Sequence, residues 1–340
     1  MNIATVTGIT GQDGSYLAEL LLAKGYEVHG IVRRTSVLER SRIEHLREDP
    51  EIYNQRLFLH YCDLSDTTTF RRILRKTKTT EIYHLAGESQ PGLSFEIPES
   101  TVNEAANATL SILEMIRDLD VPPRIFLAAS SEIFGKPDEF PQTETTPFRP
   151  VNPYGCAKAF STQLARVYRE AHGLFVCNGI AYNHESPRRG ESFVTRKISA
   201  SAARIAQGSS EVLTLGNLGS QRDWGYAPEY VFAMWTMLQQ NDPDDFILAT
   251  GTQTSVRDFA AAAFVAAGMP IAFDGEGVGE TGRDVRSGRL VVKCSEHFYR
   301  PIDSSRLSGD PSKAAERLGW KPETFGERLA EIMVDAELSA

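Results

Sequence analysis

Four side chains define the chemistry open to this 340-residue sequence: Ser130, Glu132, Tyr154 and Lys158. Pro153 opens an alanine-rich run, which is the pattern of a helix start. A helix there places Tyr154 and Lys158 one turn apart on one face. Ser130 and Glu132 close the apolar run Ile125-Phe126-Leu127-Ala128-Ala129, which reads as a buried parallel strand. A phenol, an ammonium, a hydroxyl and a carboxylate then meet at the mouth of one strand. The ammonium is expected to lower the phenol's pKa, and the Ser130 hydroxyl to support the phenolate. A tyrosine tuned in this way exchanges a proton with a hydroxyl group while a bound cofactor takes the hydride.

The elements that must hold these groups follow from the rest of the chain. Ile3 to Thr7 reads as a strand, Gly8-Ile9-Thr10-Gly11-Gln12-Asp13-Gly14 as a turn, and Leu17 to Leu22 as part of an amphipathic helix. Strand, glycine turn and helix in that order form the context of a dinucleotide-binding fingerprint, spaced here as GxxGxxG. Glycine at such a turn lets a pyrophosphate approach the amides of the helix N-terminus. A second strand, 26–32, ends in Arg33-Arg34 where an NAD site would carry an acid. Two arginines favour the 2′-phosphate of NADP; the plainer alternative is a solvated basic pair at a strand end. Residues 57–62, 81–86, 123–129 and 175–182 read as further strands and 103–119 as a helix. Asp63-Leu64 falls where an adenine is flanked, and Gly87 where backbone passes beside the cofactor. This alternation predicts an α/β fold: a doubly wound parallel Rossmann sheet with a smaller α/β substrate-binding domain. The expected division is 1–183 for the cofactor domain, with segments near 222–256 returning to it, and 184–340 mainly for the substrate.

Composition narrows the partners. The chain is 41% hydrophobic and 24% charged, as ordinary globular proteins are. A net charge of −9 argues against a general nucleic-acid binder, so an anionic ligand needs a local basic pocket. Arg188, Arg189, Lys197, Arg222 and Arg300 would supply one for a diphosphate. A lone cation is ordinary surface charge; their case rests on recurring where a substrate domain should lie. The four cysteines show no CxxC spacing and read as free thiols of a reducing cytosol. The seven histidines have no ligand spacing, so no metal is expected. The N-terminus enters a strand directly, and no run reaches membrane-spanning length. A cytoplasmic protein without a signal peptide or membrane partner is the expectation. Trp224 and Trp235 are expected to pack the junction of the two domains.

Gly8, Gly11, Gly14, Asp63, Tyr154 and Lys158 together resemble the extended short-chain dehydrogenase/reductase family. Longer blocks resemble, within it, the GDP-mannose 4,6-dehydratase branch. These are Thr7 to Leu17, Asn183 to Glu191, Phe193 to Lys197 and Leu215 to Leu218. Further matches are Arg222-Asp223-Trp224-Gly225, Ala249-Thr250-Gly251, Ser255-Val256-Arg257, Gly309-Asp310-Pro311 and Leu318-Gly319-Trp320. The resemblance implies that Tyr154 takes the proton of the sugar 4-hydroxyl and that Lys158 holds the nicotinamide ribose. It gives Glu132 the C5 proton and Ser130 the position of a threonine whose hydroxyl survives. For NADP it implies Gly8, Gly11, Gln12, Asp13, Gly14, Arg33, Arg34, Asp63, Leu64, Leu85, Tyr154, Lys158, His184 and Arg189. For the GDP-sugar it implies Ser89, Glu132, Asn183, Val194, Lys197, Arg222, Arg300 and Asp303. It also implies a homo-tetramer or dimer in which the segment after Arg34 reaches a neighbour's cofactor.

The implied reaction has no net redox change. Hydride leaves C4 for NADP, water leaves across C5–C6, and the hydride returns to C6. Gly87-Glu88-Ser89-Gln90-Pro91, Tyr226 and Asp303 depart from the family pattern near the sugar. They leave GDP-manno-heptose beside GDP-mannose as substrate. A sugar-nucleotide reductase or epimerase would keep Tyr154 and Lys158 but needs no elimination carboxylate, so Glu132 discriminates. A non-enzymatic NADP sensor would need neither the tyrosine nor the lysine.

Overall fold

The computed structural model describes residues 2–34, 40–298 and 307–339. The first half runs β1 (Ile3–Thr7), α1 (Gln12–Ala23), β2 (Glu27–Val32), α2 (Glu44–Glu48), β3 (Leu57–Tyr61), α3 (Thr67–Thr77) and β4 (Glu81–His84). It continues with α4 (Pro98–Val102), α5 (Ala108–Arg117), β5 (Arg124–Ser130), α6 (Pro153–His172) and β6 (Val176–Ala181). Then follow β7 (Asn183–Glu185), α7 (Val194–Ala206), β8 (Leu213–Leu215), β9 (Gln221–Tyr226), α8 (Ala227–Leu238), β10 (Asp245–Leu248) and β11 (Gln253–Ser255). The chain closes with α9 (Val256–Ala266), β12 (Ile271–Asp274), β13 (Thr281–Asp284), β14 (Leu290–Cys294), α10 (Ser312–Leu318) and α11 (Gly326–Leu338).

Seven strands form one sheet in the order β10-β6-β5-β4-β1-β2-β3, and every pair in it is parallel. Helices cover both faces, which is why β4 and β10 are buried at every residue rather than alternately. One face packs Leu17 and Leu21 of α1 with Val231, Met234 and Met237 of α8. The other packs Phe70 and Ile73 of α3 with Ile112, Ile116 and Tyr168. The order reverses between β1 and β4, so a crevice opens beyond their carboxyl ends, where α/β sheets bind ligands.

A second core joins α7, α9 and α11 around Trp224, Phe259 and Phe264, beside the four-stranded sheet β12-β13-β14-β8. A small sheet, β11-β9-β7, lies with it. The helix expected over 103–119 begins earlier, at Pro98, and carries a π turn at Asn103–Asn107. There Ala105 and Ala106 pack on Ala157, small residues that let α6 come close. Trp235 does not pack a junction. It lies on α8, where its Nε1–H donates to the Tyr26 hydroxyl and Lys24 sits over its ring. All four cysteines are free. Among the described residues, no helix is long and apolar enough to cross a membrane, and no cluster of side chains fits a metal ion.

Candidate active site

β5 ends at Ser130, and the chain turns at once through Ser131–Ile133. The Glu132 amide donates to Ser130 Oγ at 3.3 Å, which tightens that turn. Asn152 then does two jobs. Its Oδ1 accepts from the Gly155 amide at 2.7 Å and so caps α6. Its Nδ2 donates to Glu132 Oε2 at 2.8 Å. Gly155 is required here, because a Cβ would lie 2.6 Å from the Glu132 carbonyl oxygen. The helix start is thereby pressed onto the turn, and Ser130, Glu132, Tyr154 and Lys158 all line one cavity of about 450 Å³.

The electrostatics of this wall differ from the sequence expectation. Burial pushes the Tyr154 phenol up to about 12, the Glu132 and Glu88 carboxylates add to the rise, and only a hydrogen bond with Ser130 and the Arg189 charge oppose it. Burial brings Lys158 down to about 8. Burial dominates the phenol, and the Lys158 Nζ donates to the Ala128 carbonyl at 2.7 Å. It stands 5.7 Å from the Tyr154 ring centre.

The β1–α1 turn closes the floor. Thr7 Oγ1 accepts from the Leu85 and Ala86 amides, both at 3.1 Å, and bonds His84 Nδ1 at 2.9 Å. This ties the ends of β1 and β4 together at the crevice. Gly8 has φ +71° and lies so close to β4 that a Cβ would stand 2.9 Å from the Ala86 nitrogen. At Gly14 a Cβ would fall 2.2 Å from the Gly8 carbonyl oxygen. Gly8, Gly11 and Gly14 therefore leave bare backbone at the start of α1, a cradle shaped for phosphate. Gln12 and Asp13 lead from this turn to the other side of the pocket. Gln12 Nε2 donates to the His184 carbonyl at 3.0 Å, and Asp13 Oδ2 meets His184 Nε2 at 2.9 Å. Burial works against charge on both, yet each partner outweighs it, so Asp13 is held low and His184 high.

Arg33 and Arg34 follow β2, and Asp63 and Leu64 follow β3, along the same carboxyl edge of the sheet but outside the cavity. Arg33 meets the Glu104 carboxylate at 3.1 Å in an exposed pair. Asp63 Oδ1 accepts from the Ser65 amide and hydroxyl.

The facing wall comes from the second half of the chain. Asn183, His184, Arg189, Val194, Lys197 and Arg222 line the cavity from there, and Leu85 and Ser89 line it from the first half of the chain, with the catalytic four. Lys197 Nζ donates to the Thr214 carbonyl at 2.7 Å and lies 4.1 Å from the Phe298 ring centre. Arg189 lies over the Phe193 ring and pairs with Glu185, which also accepts from Thr195 Oγ1. Arg188 is not part of the expected basic pocket. It turns to α1, pairing with Glu19 at 2.6 Å and lying over Tyr16. Arg300 and Asp303 fall outside the described residues.

Sequence reasoning passed over several groups. Asn152 carried a usable signal, an asparagine before a helix-starting proline. Glu88, whose Oε1 accepts from the Ser89 and Gln90 amides, and Gln90, whose Nε2 donates to Ser192 Oγ across the pocket, were visible only as a departure from the family pattern near the sugar.

Comparison with known proteins agrees with this geometry. The GDP-mannose 4,6 dehydratase family model matches residues 5–333. The GDP-mannose 4,6-dehydratase of Sinorhizobium fredii is 50% identical, over 99% of this chain and 97% of its own. Among solved structures, the dTDP-glucose 4,6-dehydratase of Bacillus anthracis in complex with NAD superposes with a TM-score of 0.81 at 15% identity, over 99% of this chain and 96% of that one. RMD from Pseudomonas aeruginosa complexed with NADPH superposes with a TM-score of 0.76 at 18% identity, over the full length of both. At such identities the two structures speak for the fold alone. With its whole length matched and the phenol, lysine and carboxylate in one cavity, the chain belongs to the GDP-mannose 4,6-dehydratase family.

Proposed function

We propose that this protein is an NADP-dependent hydro-lyase that converts GDP-mannose to GDP-4-keto-6-deoxymannose. The observation that carries this reading is that Glu132 and Tyr154 line one cavity. A reductase or epimerase has no use for a carboxylate at that point.

The NADP site fits the residues present. The bare backbone of Gly8, Gly11 and Gly14 takes the pyrophosphate, Asp63 and Leu64 the adenosine end, and Arg33 and Arg34 the 2′-phosphate. When bound, NADP takes the hydride from C4 of the sugar and returns it to C6. With the cofactor's positive ring and the Lys158 charge beside it, Tyr154 would act as the phenolate that accepts the proton of the 4-hydroxyl, and Ser130 holds the phenol in place. Lys158 orients the cofactor ribose and supplies positive charge near the phenolate. The C4 ketone acidifies C5, so Glu132 takes the C5 proton and delivers one to the departing 6-hydroxyl, which leaves as water; C5 is reprotonated as the hydride reaches C6, and the proton that Tyr154 took from the 4-hydroxyl closes the balance. Asn152 fixes the carboxylate from the far side. On the facing wall, Asn183, Val194, Lys197 and Arg222 hold the GDP moiety, and Ser89 lies toward the sugar; the sequence resemblance adds Arg300 and Asp303 to the substrate site.

The N-terminal part through residue 183, together with α8 and β10, serves the cofactor, and the remainder serves the GDP-sugar. Leu110 of α5 and Phe160 and Val167 of α6 expose apolar surface on neighbouring helices. This supports a homodimer through that face, with a tetramer as the larger assembly. A cytoplasmic location is consistent with four free cysteines and a phosphorylated substrate and cofactor.

The test is incubation with NADP and GDP-mannose in heavy water, followed by mass spectrometry. A product lighter by one water, with solvent deuterium at C5, is expected. A product that keeps its water, or turnover of GDP-manno-heptose alone, would overturn the assignment to GDP-mannose.

A further inference from the structure

β9 carries alternating side chains, as any strand does. Arg222 and Trp224 line the cavity, and Asp223 between them points the other way and is 1% exposed. A buried carboxylate needs donors, and this one has them from two further chain segments. Its Oδ1 accepts from the Thr250 amide at 2.9 Å and the Thr250 hydroxyl at 2.7 Å. Its Oδ2 accepts from the Gly251 amide at 3.0 Å. The Gly309 backbone lies near enough to favour the charged form as well.

Each donor is itself fixed. Thr250 and Gly251 follow β10, the last strand of the parallel sheet. Gly309 is pressed against the sheet ends so closely that a Cβ would lie 2.6 Å from Ile247 and 2.6 Å from Tyr182. The Asp310 amide beside it donates to the Gln142 carbonyl at 2.8 Å. Three sequence blocks that the reaction itself does not use, at 222–225, 249–251 and 309–311, thus converge on one carboxylate.

We propose that Asp223 is a positioning residue for the nucleotide side of the pocket. It clasps β9 to the rigid end of the parallel sheet, so that Arg222 and Trp224 stand at fixed places on the cavity wall. The clasp rests on the GDP-sugar reading given above, and it adds a residue that never touches the ligand. Burial pushes Asp223 up to about 6 against the pull of its donors, so at neutral pH the carboxylate is the form that makes the clasp.

Asn at 223 keeps one acceptor but turns an NH₂ toward amide donors, which leaves a buried donor unpaired. The full chain and its Asp223→Asn and Thr250→Val variants would be titrated with GDP and with NADP, then assayed with GDP-mannose. Asp223→Asn is expected to raise the GDP Kd and the GDP-mannose KM about tenfold, with kcat within about threefold and the NADP Kd unchanged. Thr250→Val, which loses the hydroxyl donor to Asp223 together with its bonds to the Thr252 backbone, is expected to move both in the same direction by about threefold. A role in folding alone would depress kcat, NADP affinity and GDP affinity together, and that pattern overturns the clasp. Unchanged GDP affinity overturns it too. Should Asp223→Asn not fold, Thr250→Val decides on the same outcomes. A wild-type chain that binds GDP without dehydrating GDP-mannose defeats the activity assigned above, and the variants' GDP Kd then decides the clasp alone. A wild-type chain that does not bind GDP overturns both.

Discussion

Two lysines stand on opposite walls of the pocket and are held alike, although the walls around them are built differently. Lys158 Nζ donates to the Ala128 carbonyl and Lys197 Nζ to the Thr214 carbonyl, each at 2.7 Å. Burial lowers the pKa of both. Lys158 and its acceptor belong to one continuous stretch, β5 and the helix that follows it. Lys197 on α7 and its acceptor on the next element, β8, are likewise close in the chain, within the second core. The first wall is a strand, a turn and a capped helix that fold as a unit. The second also takes Asn183 from β7 and Arg222 from β9, separate pieces that tertiary packing brings to the same wall. The first should therefore fail all at once when one group is removed, whereas the second should weaken by degrees.

The largest effect tests the first wall. Glu132→Gln keeps the shape and the Asn152 contact but removes the base, so kcat is expected to fall by about 10²–10⁴. The GDP and NADP dissociation constants should stay within about twofold. Full-rate release of the dehydrated product would take Glu132 out of the chemistry.

A smaller, differently shaped loss is expected on the second wall. Lys197→Met preserves the stem over Phe298 and removes the charge, so KM for GDP-mannose should rise about tenfold with kcat nearly unchanged. An equal fall in kcat would erase the distinction between the walls.

The smallest effect is on pH dependence. Lys158 is lowered to about 8, so its charge is present below that pH and lost above it. Activity should decline as pH rises through about 8, and Lys158→Arg, which stays charged, should shift the decline upward. A profile with the same alkaline limb in both proteins would assign it to another group.

Most of the first wall was legible in the sequence because its parts are local. Ser130, Glu132, Tyr154 and Lys158 are linked by a strand end and a helix period, and Gly8, Gly11 and Gly14 by one turn. What local reasoning could not supply was the field. The sign of the Tyr154 shift depends on burial and on Glu88, which arrives from another loop. The second wall was legible only as a list of cations. Arg188 and Arg189 are adjacent, yet one pairs with Glu19 of α1 and the other faces the cavity, and nothing in their spacing distinguishes them. Asp223 was visible as part of a block that resembles the family, but its donors lie 27 residues and more downstream. Trp235 was read as a junction residue from its type, whereas its helix had already returned to the parallel sheet.

The placement of β9 between two neighbours has one more implication. It runs parallel to β7, with Asn183 opposite Trp224, and antiparallel to β11, with Gln253 opposite Asp223. A slip of a single residue along either neighbour would swap the faces of the strand. The guanidinium would then be driven into a dry interior and the carboxylate turned outward, so the surface meant to meet a diphosphate would repel it. Pairing on both edges makes the polarity of that wall a property of backbone alignment as much as of residue type.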